Sequence, residues 1–173
     1  PETLETLSKL GFANPAMAAE TVRGWHFGRR PAMQSARARE VLTALVPALL
    51  EAFAGSGDPD AALLAFDNAL MRMPAAVELF SILKSNDKVR ELFADILGGA
   101  PRLAQVVSLR PHVLDAAIDP AHSATRPGES RFEARARRIL ETAQDSEQFM
   151  DDCRDLAQEE MFVIGIRFLA GTI

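Results

Sequence analysis

The chain has 173 residues, 48% of them hydrophobic and 25% charged, a composition that fits one globular domain or two small lobes. Its net charge of -5 argues against non-specific nucleic-acid binding, and its single cysteine, Cys153, excludes an internal disulfide framework and a cysteine-based zinc site. The most apolar stretch, 161–173, contains Arg167 and is shorter than the roughly 20 residues of a membrane-spanning helix. We therefore expect a cytoplasmic protein that binds neither nucleic acid nor membrane.

Proline and glycine occur at helix-length intervals, and the alternating β-branched and aromatic pattern of strands is almost absent. Asn14 before Pro15, and Asp58 before Pro59, predict helix N-caps, because a proline in the first helical turn loses no hydrogen bond. The sequence predicts an all-α, irregular multi-helix bundle. Its about ten helices are expected at 3–10, 15–25, 33–54, 59–73, 75–85, 87–97, 101–109, 112–118, 130–144 and 146–171.

Glycine and proline also predict local features of these helices. Gly11 should end the first helix, and Gly98 with Gly99 should end the helix that carries the apolar residues Val89, Leu92, Phe93, Ile96 and Leu97. Pro47 lies inside the third predicted helix, where it should produce a kink.

The segment 119–130 contains two prolines and a glycine but few large apolar residues, which predicts a joint. It divides a helical linker region, 1–118, from a helical hairpin, 131–173. Arginines come first in that hairpin and acidic residues follow, so its helices can pair antiparallel. The segment 161–173 is more apolar than one side of a helix can hide, and we expect it to form an interface.

The sequence Gly-Ser-Gly-Asp-Pro-Asp at 55–60 resembles the motif, Gly-Ser followed by Asp-x-Asp, with which nucleotidyltransferases hold phosphates and two magnesium ions. Those carboxylates belong to a strand, whereas here proline separates Asp58 from Asp60 and a helical pattern follows at once. We interpret Asp58 as a helix cap.

Two other groups of residues are weaker candidates. His26, His112 and His122 are far apart in sequence and form no metal-ligand spacing. The aromatic and cationic run at 25–30 could bind an anion or a partner helix. The favoured interpretation is that Trp25 anchors the packing while Arg29 and Arg30 reach solvent.

Several stretches together resemble one known family. They read LSKLGFANP at 7–15, VRGWHFGR at 22–29, PAAVELFSIL at 74–83 and ILGGAPRLAQVVSLRPHVLDAAID at 96–119. The chain is similar in these stretches to the glutamine synthetase adenylyltransferases, bifunctional enzymes that attach AMP to glutamine synthetase and remove it. The final stretch, IGIRFLAGTI at 164–173, resembles the approach to the second nucleotidyltransferase domain of such enzymes.

The resemblance implies a parent enzyme that uses ATP and magnesium, acts on a tyrosine hydroxyl of glutamine synthetase and responds to glutamine and the PII protein. The matching region is helical, lies between the two nucleotidyltransferase domains and contains neither active site. No catalytic, cofactor-binding or metal-binding residue is therefore assigned, and the region is expected to couple the two domains. Two alternatives stay open: a free-standing helical interaction adaptor, and a sensor for glutamine or an adenine nucleotide.

Overall fold

The structure, a computed structural model, describes residues 2–110, 113 and 129–169, and every regular element in these ranges is a helix. The prediction of an all-α bundle is confirmed. The chain divides into two compact units, Pro1–Pro111 and His112–Ile173. The predicted helix at 112–118 (Val113 apart), His112, His122, most of the joint at 119–130 and the end of the last helix lie outside the described residues.

Seven α-helices make up the described part of the first unit. They are α1 (Glu2–Lys9), α2 (Pro15–His26), α3 (Ala36–Gly55), α4 (Pro59–Arg72), α5 (Val77–Ser85), α6 (Asp87–Gly99) and α7 (Pro101–Leu109), with a 3₁₀ helix at Pro31–Met33. Helix α4 packs against α3, α6 and α7, and α3 packs against α5 and α6.

Side-chain caps set the helix starts. Asn14 accepts a hydrogen bond from the backbone N–H of Met17, as predicted. The predicted helix at 33–54 begins later than expected, at Ala36, because Ser35 caps it and Pro31–Met33 forms a separate 3₁₀ turn.

Glycine ends two helices of the first unit through a positive φ. Gly11, at φ 97°, allows Phe12 N–H to bond the Leu7 carbonyl at 3.2 Å, and the predicted end of α1 is confirmed. Gly28, at φ 68°, closes α2 in the same way. Pro47 lies inside α3, and the kink there stays a prediction.

Phe66 on α4 is the centre of an aromatic core. Its ring lies 5.3 to 6.3 Å, between centroids, from four others, and it is fully buried. The four neighbours are Trp25, Phe53, Phe80 and Phe93. These rings come from α2, α3, α5 and α6, so one side chain joins five helices.

Helix α6 ends at Gly99, as predicted from Gly98 with Gly99, although both glycines lie inside its last turn and not beyond it. A Cβ atom on Gly98 would lie 2.1 Å from Oγ of Ser56 and 2.9 Å from the carbonyl oxygen of Asp58. Gly98 therefore serves a close approach between α6 and the turn that joins α3 to α4.

The described part of the second unit contains two helices, α8 (Glu129–Thr142) and α9 (Ser146–Leu169), which pack against each other. Arg135 on α8 forms ion pairs with Glu159 and Glu160 on α9. The two glutamate side chains are only 18% and 17% exposed. These ion pairs are therefore less solvated than ion pairs on an open surface. The ion pairs hold the hairpin at the middle of α8.

No single helix in the described ranges is long and apolar enough to cross a membrane. Helices α6 and α7 meet that test of length and composition only together, and they are bent by 104° relative to each other.

Candidate functional site

Asp67 is the centre of the polar cluster that the first unit buries most deeply. It lies on α4 next to Phe66, is 7% exposed, and accepts a hydrogen bond from Nε1 of Trp25 at 2.8 Å. Arg30 binds the same carboxylate through Nε and Nη2, at 2.8 and 2.7 Å. The carboxylate therefore joins the end of α2, the following loop and the core helix α4.

Asp67 stabilises the charged form of the Arg30 guanidinium. The hydrogen bond to the carboxylate, aided by its charge, raises the pKa of Arg30 above its ordinary value against the opposing effect of burial. A raised pKa stabilises the protonated form of Arg30, so its contribution to stability is fully present below the ordinary pKa of arginine and is lost as pH rises through the raised value.

This geometry corrects the expectation that Arg29 and Arg30 both reach solvent. Trp25 is a buried anchor, 1% exposed, as the favoured interpretation requires. Arg30 is held by Asp67, however, and only Arg29 of the two is exposed. Asp67 is not among the residues predicted from the sequence, although a buried indole N–H needs an acceptor and Asp67 interrupts an apolar helix face.

Asp60 holds the other end of α2. Its carboxylate accepts hydrogen bonds from the backbone N–H groups of Ala13 and Asn14, at 2.6 and 3.1 Å. Asp60 and Asp67 are seven residues apart on α4 and so share a face of that helix. Two carboxylates on one helix thus fasten the N-terminal helices to the bundle.

The segment 55–60, the candidate phosphate and magnesium motif, forms the packed turn between α3 and α4. Ser56 donates to the Phe53 carbonyl at 2.7 Å, and Asp58 caps α4 by accepting from Ala61 N–H at 2.9 Å. The interpretation of Asp58 as a helix cap is confirmed. Asp60 accepts from two backbone N–H groups, so both carboxylates of this segment have structural partners within the fold.

Within the described ranges no three His, Cys, Asp or Glu side chains come together in a way that could hold a metal ion.

A small apolar cleft of about 140 Å³ lies beside Trp25, between α2 and α3. His26 is at its edge, with Nδ1 3.5 Å from the hydroxyl oxygen of Thr43, a long contact. His26 is exposed and packs edge-on against Phe27. Neither contact prepares the imidazole for acid or base chemistry.

The described residues form an all-α module in which the polar clusters connect helices to one another. Comparison with known proteins shows which family this chain is similar to. A family model described as glutamate-ammonia ligase adenylyltransferase matches residues 90–173. The chain is related along its whole length to the bifunctional glutamine synthetase adenylyltransferase/adenylyl-removing enzymes, and the resemblance read from the sequence is confirmed.

Three relatives illustrate this similarity, all of them proteins called bifunctional glutamine synthetase adenylyltransferase/adenylyl-removing enzyme. Those of Mesorhizobium japonicum and Brucella melitensis are each 46% identical over 173 residues, which is 100% of this chain and 18% of the relative. That of Xanthobacter autotrophicus is 40% identical over 172 residues, covering 99% of this chain and 17% of the relative. The chain thus spans less than a fifth of the length of these relatives. No solved structure matches it.

Proposed function

We propose that the chain is a segment of a bifunctional enzyme that attaches AMP to glutamine synthetase and removes it. The observation that supports this proposal is the 46% sequence identity, along all 173 residues, to a relative of which the match covers only 18%. The parent enzyme would use ATP and magnesium, respond to glutamine and the PII protein, and work in a bacterial cytoplasm.

Within that enzyme the segment couples the two nucleotidyltransferase domains and performs no chemistry itself. Asp67 accepts a hydrogen bond from Trp25, Asp58 caps α4, and Asp60 accepts from the backbone N–H of Ala13. These carboxylates therefore have structural partners within the chain. Coupling two active domains needs an element that contacts both and has more than one arrangement. A chain of two compact units, with the predicted joint at 119–130, suits that task.

The proposal is tested by measuring AMP transfer to glutamine synthetase from ATP and magnesium. The full-length protein should transfer AMP and, with phosphate, remove it. The 173-residue chain alone should do neither. Transfer by the short chain, abolished by Asp58→Asn with Asp60→Asn, would contradict the assignment of chemistry to other parts of the protein.

A free-standing helical adaptor is the second candidate. It is favoured by the exposure of Met161, Ile164 and Phe168 on α9, which are 68%, 50% and 71% accessible. The full reading frame distinguishes the two proposals. Nucleotidyltransferase domains on the same polypeptide would support the enzyme, and their absence would support the adaptor.

A further inference from the structure

The second half of α9 presents large apolar side chains on two sides. Phe162 and Val163 are 0% and 6% exposed, whereas Met161, Ile164 and Phe168 are half or more exposed. The three exposed residues are spaced i, i+3 and i+7, so they form one stripe along the helix. We call Met161, Ile164 and Phe168 the α9 stripe.

The α9 stripe lacks the charges that a solvent-facing helix normally carries. Ala157, one turn earlier, and Gly165 share this side of the helix and are also uncharged. Glu160, which directly precedes Met161 in the sequence, is paired with Arg135 on α8. Arg167 is the one charged residue of 161–168, and it is buried, so both the exposed stripe and the side with Phe162 and Val163 are apolar. Apolar side chains on two sides of a helix are typical of the interior of a larger protein.

The size of the α9 stripe distinguishes between possible occupants. Three side chains exposed to this extent offer about 300 Å² in total, since a large apolar or aromatic side chain presents on the order of 150 to 250 Å² when fully exposed. A stable complex between separate molecules buries about 800 Å² on each partner. The stripe alone is too small to hold two separate molecules together, but it suffices for a contact within one polypeptide, where tethering supplies a high effective concentration.

We propose that the α9 stripe is an intramolecular docking surface, covered by an apolar face from another part of the same, longer polypeptide. The inference rests on the proposed function, under which this chain is a segment of an enzyme several times its length. The match covers 18% of the length of such a relative, and the other 82% is polypeptide that could carry the covering face.

Cysteine labelling in the full-length polypeptide tests the proposal without using activity as the readout. Single variants Met161→Cys, Ile164→Cys and Phe168→Cys, each made with Cys153→Ser, leave two stripe residues in place. Glu147→Cys, at an exposed position near the start of α9, is the matched control. Maleimide incorporation is followed peptide by peptide by mass spectrometry, in buffer and in urea.

We expect the stripe positions to label about tenfold or more slowly than position 147 in buffer, and at the same rate in urea. Equal rates in buffer would overturn the proposal. Protection that disappears on dilution would also overturn it, because a second copy would then be the occupant. If labelling is equal while the polypeptide still transfers AMP, the docking surface fails and the proposed function stands.

Discussion

Nε1 of Trp25 donates a 2.8 Å hydrogen bond to Oδ1 of Asp67, which lies 42 residues further along the chain in the core helix α4. Arg30 binds both oxygens of the same carboxylate. One acidic side chain therefore satisfies a buried indole and a half-buried guanidinium. Fastening of the N-terminal helices depends on this three-residue cluster.

Replacing Asp67 should strongly destabilise the first unit. Asp67→Ala leaves the Arg30 charge and the Trp25 N–H without their partner, and we expect a loss of about 3 to 5 kcal/mol in unfolding free energy. Glu40→Gln, which breaks only the exposed pair with Arg37, should change it by about 0 to 1 kcal/mol. Urea unfolding, followed by the fluorescence of the single tryptophan, gives both values. Equal small effects would show that the cluster contributes little.

Adjacent glycines at the end of α6 should respond in opposite ways to alanine. Gly98→Ala places a methyl group against Ser56 and the Asp58 carbonyl and should cost about 1 to 3 kcal/mol. Gly99→Ala meets nothing within 4 Å and should be neutral or stabilise by up to about 1 kcal/mol, because alanine favours the helix. Thermal unfolding measures both changes. Similar melting temperatures for the two variants would contradict the close approach at Gly98.

Phe93 should be essential to the aromatic core around Phe66. It is 5% exposed, and its ring centroid lies 5.8 Å from that of Phe66. We expect Phe93→Ala to destabilise the chain by about 3 to 5 kcal/mol, as is usual for a buried ring. Leu64→Ala, on α4 at a side chain that is 52% exposed, is the control and should change stability little. A near-neutral effect at Phe93 would remove α6 from the core.

The carboxylates of the segment 55–60 should matter for stability and not for chemistry. Asp60→Ala removes the acceptor for Ala13 and Asn14 N–H, and we expect a loss of about 1 to 3 kcal/mol. In the full-length protein, Asp58→Asn with Asp60→Asn should leave AMP transfer unchanged. Circular dichroism is measured beside transfer to confirm that the variant is folded. Loss of transfer with an unchanged helical spectrum would show that these residues take part in AMP transfer.

Local signals in the sequence predict much of this fold. The pairs at Asn14 and Pro15, and at Asp58 and Pro59, predict helix starts because a cap and its proline act within one turn. Gly11 predicts a helix end for the same reason, since its positive φ is a local requirement. These features need no knowledge of distant residues.

Contacts between residues far apart in the chain determine the features that local sequence signals do not predict. Gly98 resembles a helix terminator in sequence, but its function is set by the approach of Ser56, 42 positions earlier. Asp67 has no neighbour in sequence that identifies its partners, Trp25 and Arg30. Only the three-dimensional packing brings these groups together.

Replacing the chain tests most directly whether it couples two active domains without performing chemistry. AMP attachment and AMP removal are measured in the full-length protein and in a variant with a flexible glycine-serine linker in place of residues 1–173, with and without glutamine. We predict that the linker variant keeps both reactions, while the reciprocal change that glutamine produces in the intact protein is lost. Reciprocal control that survives the replacement, or loss of both reactions from domains that stay folded, would contradict the account.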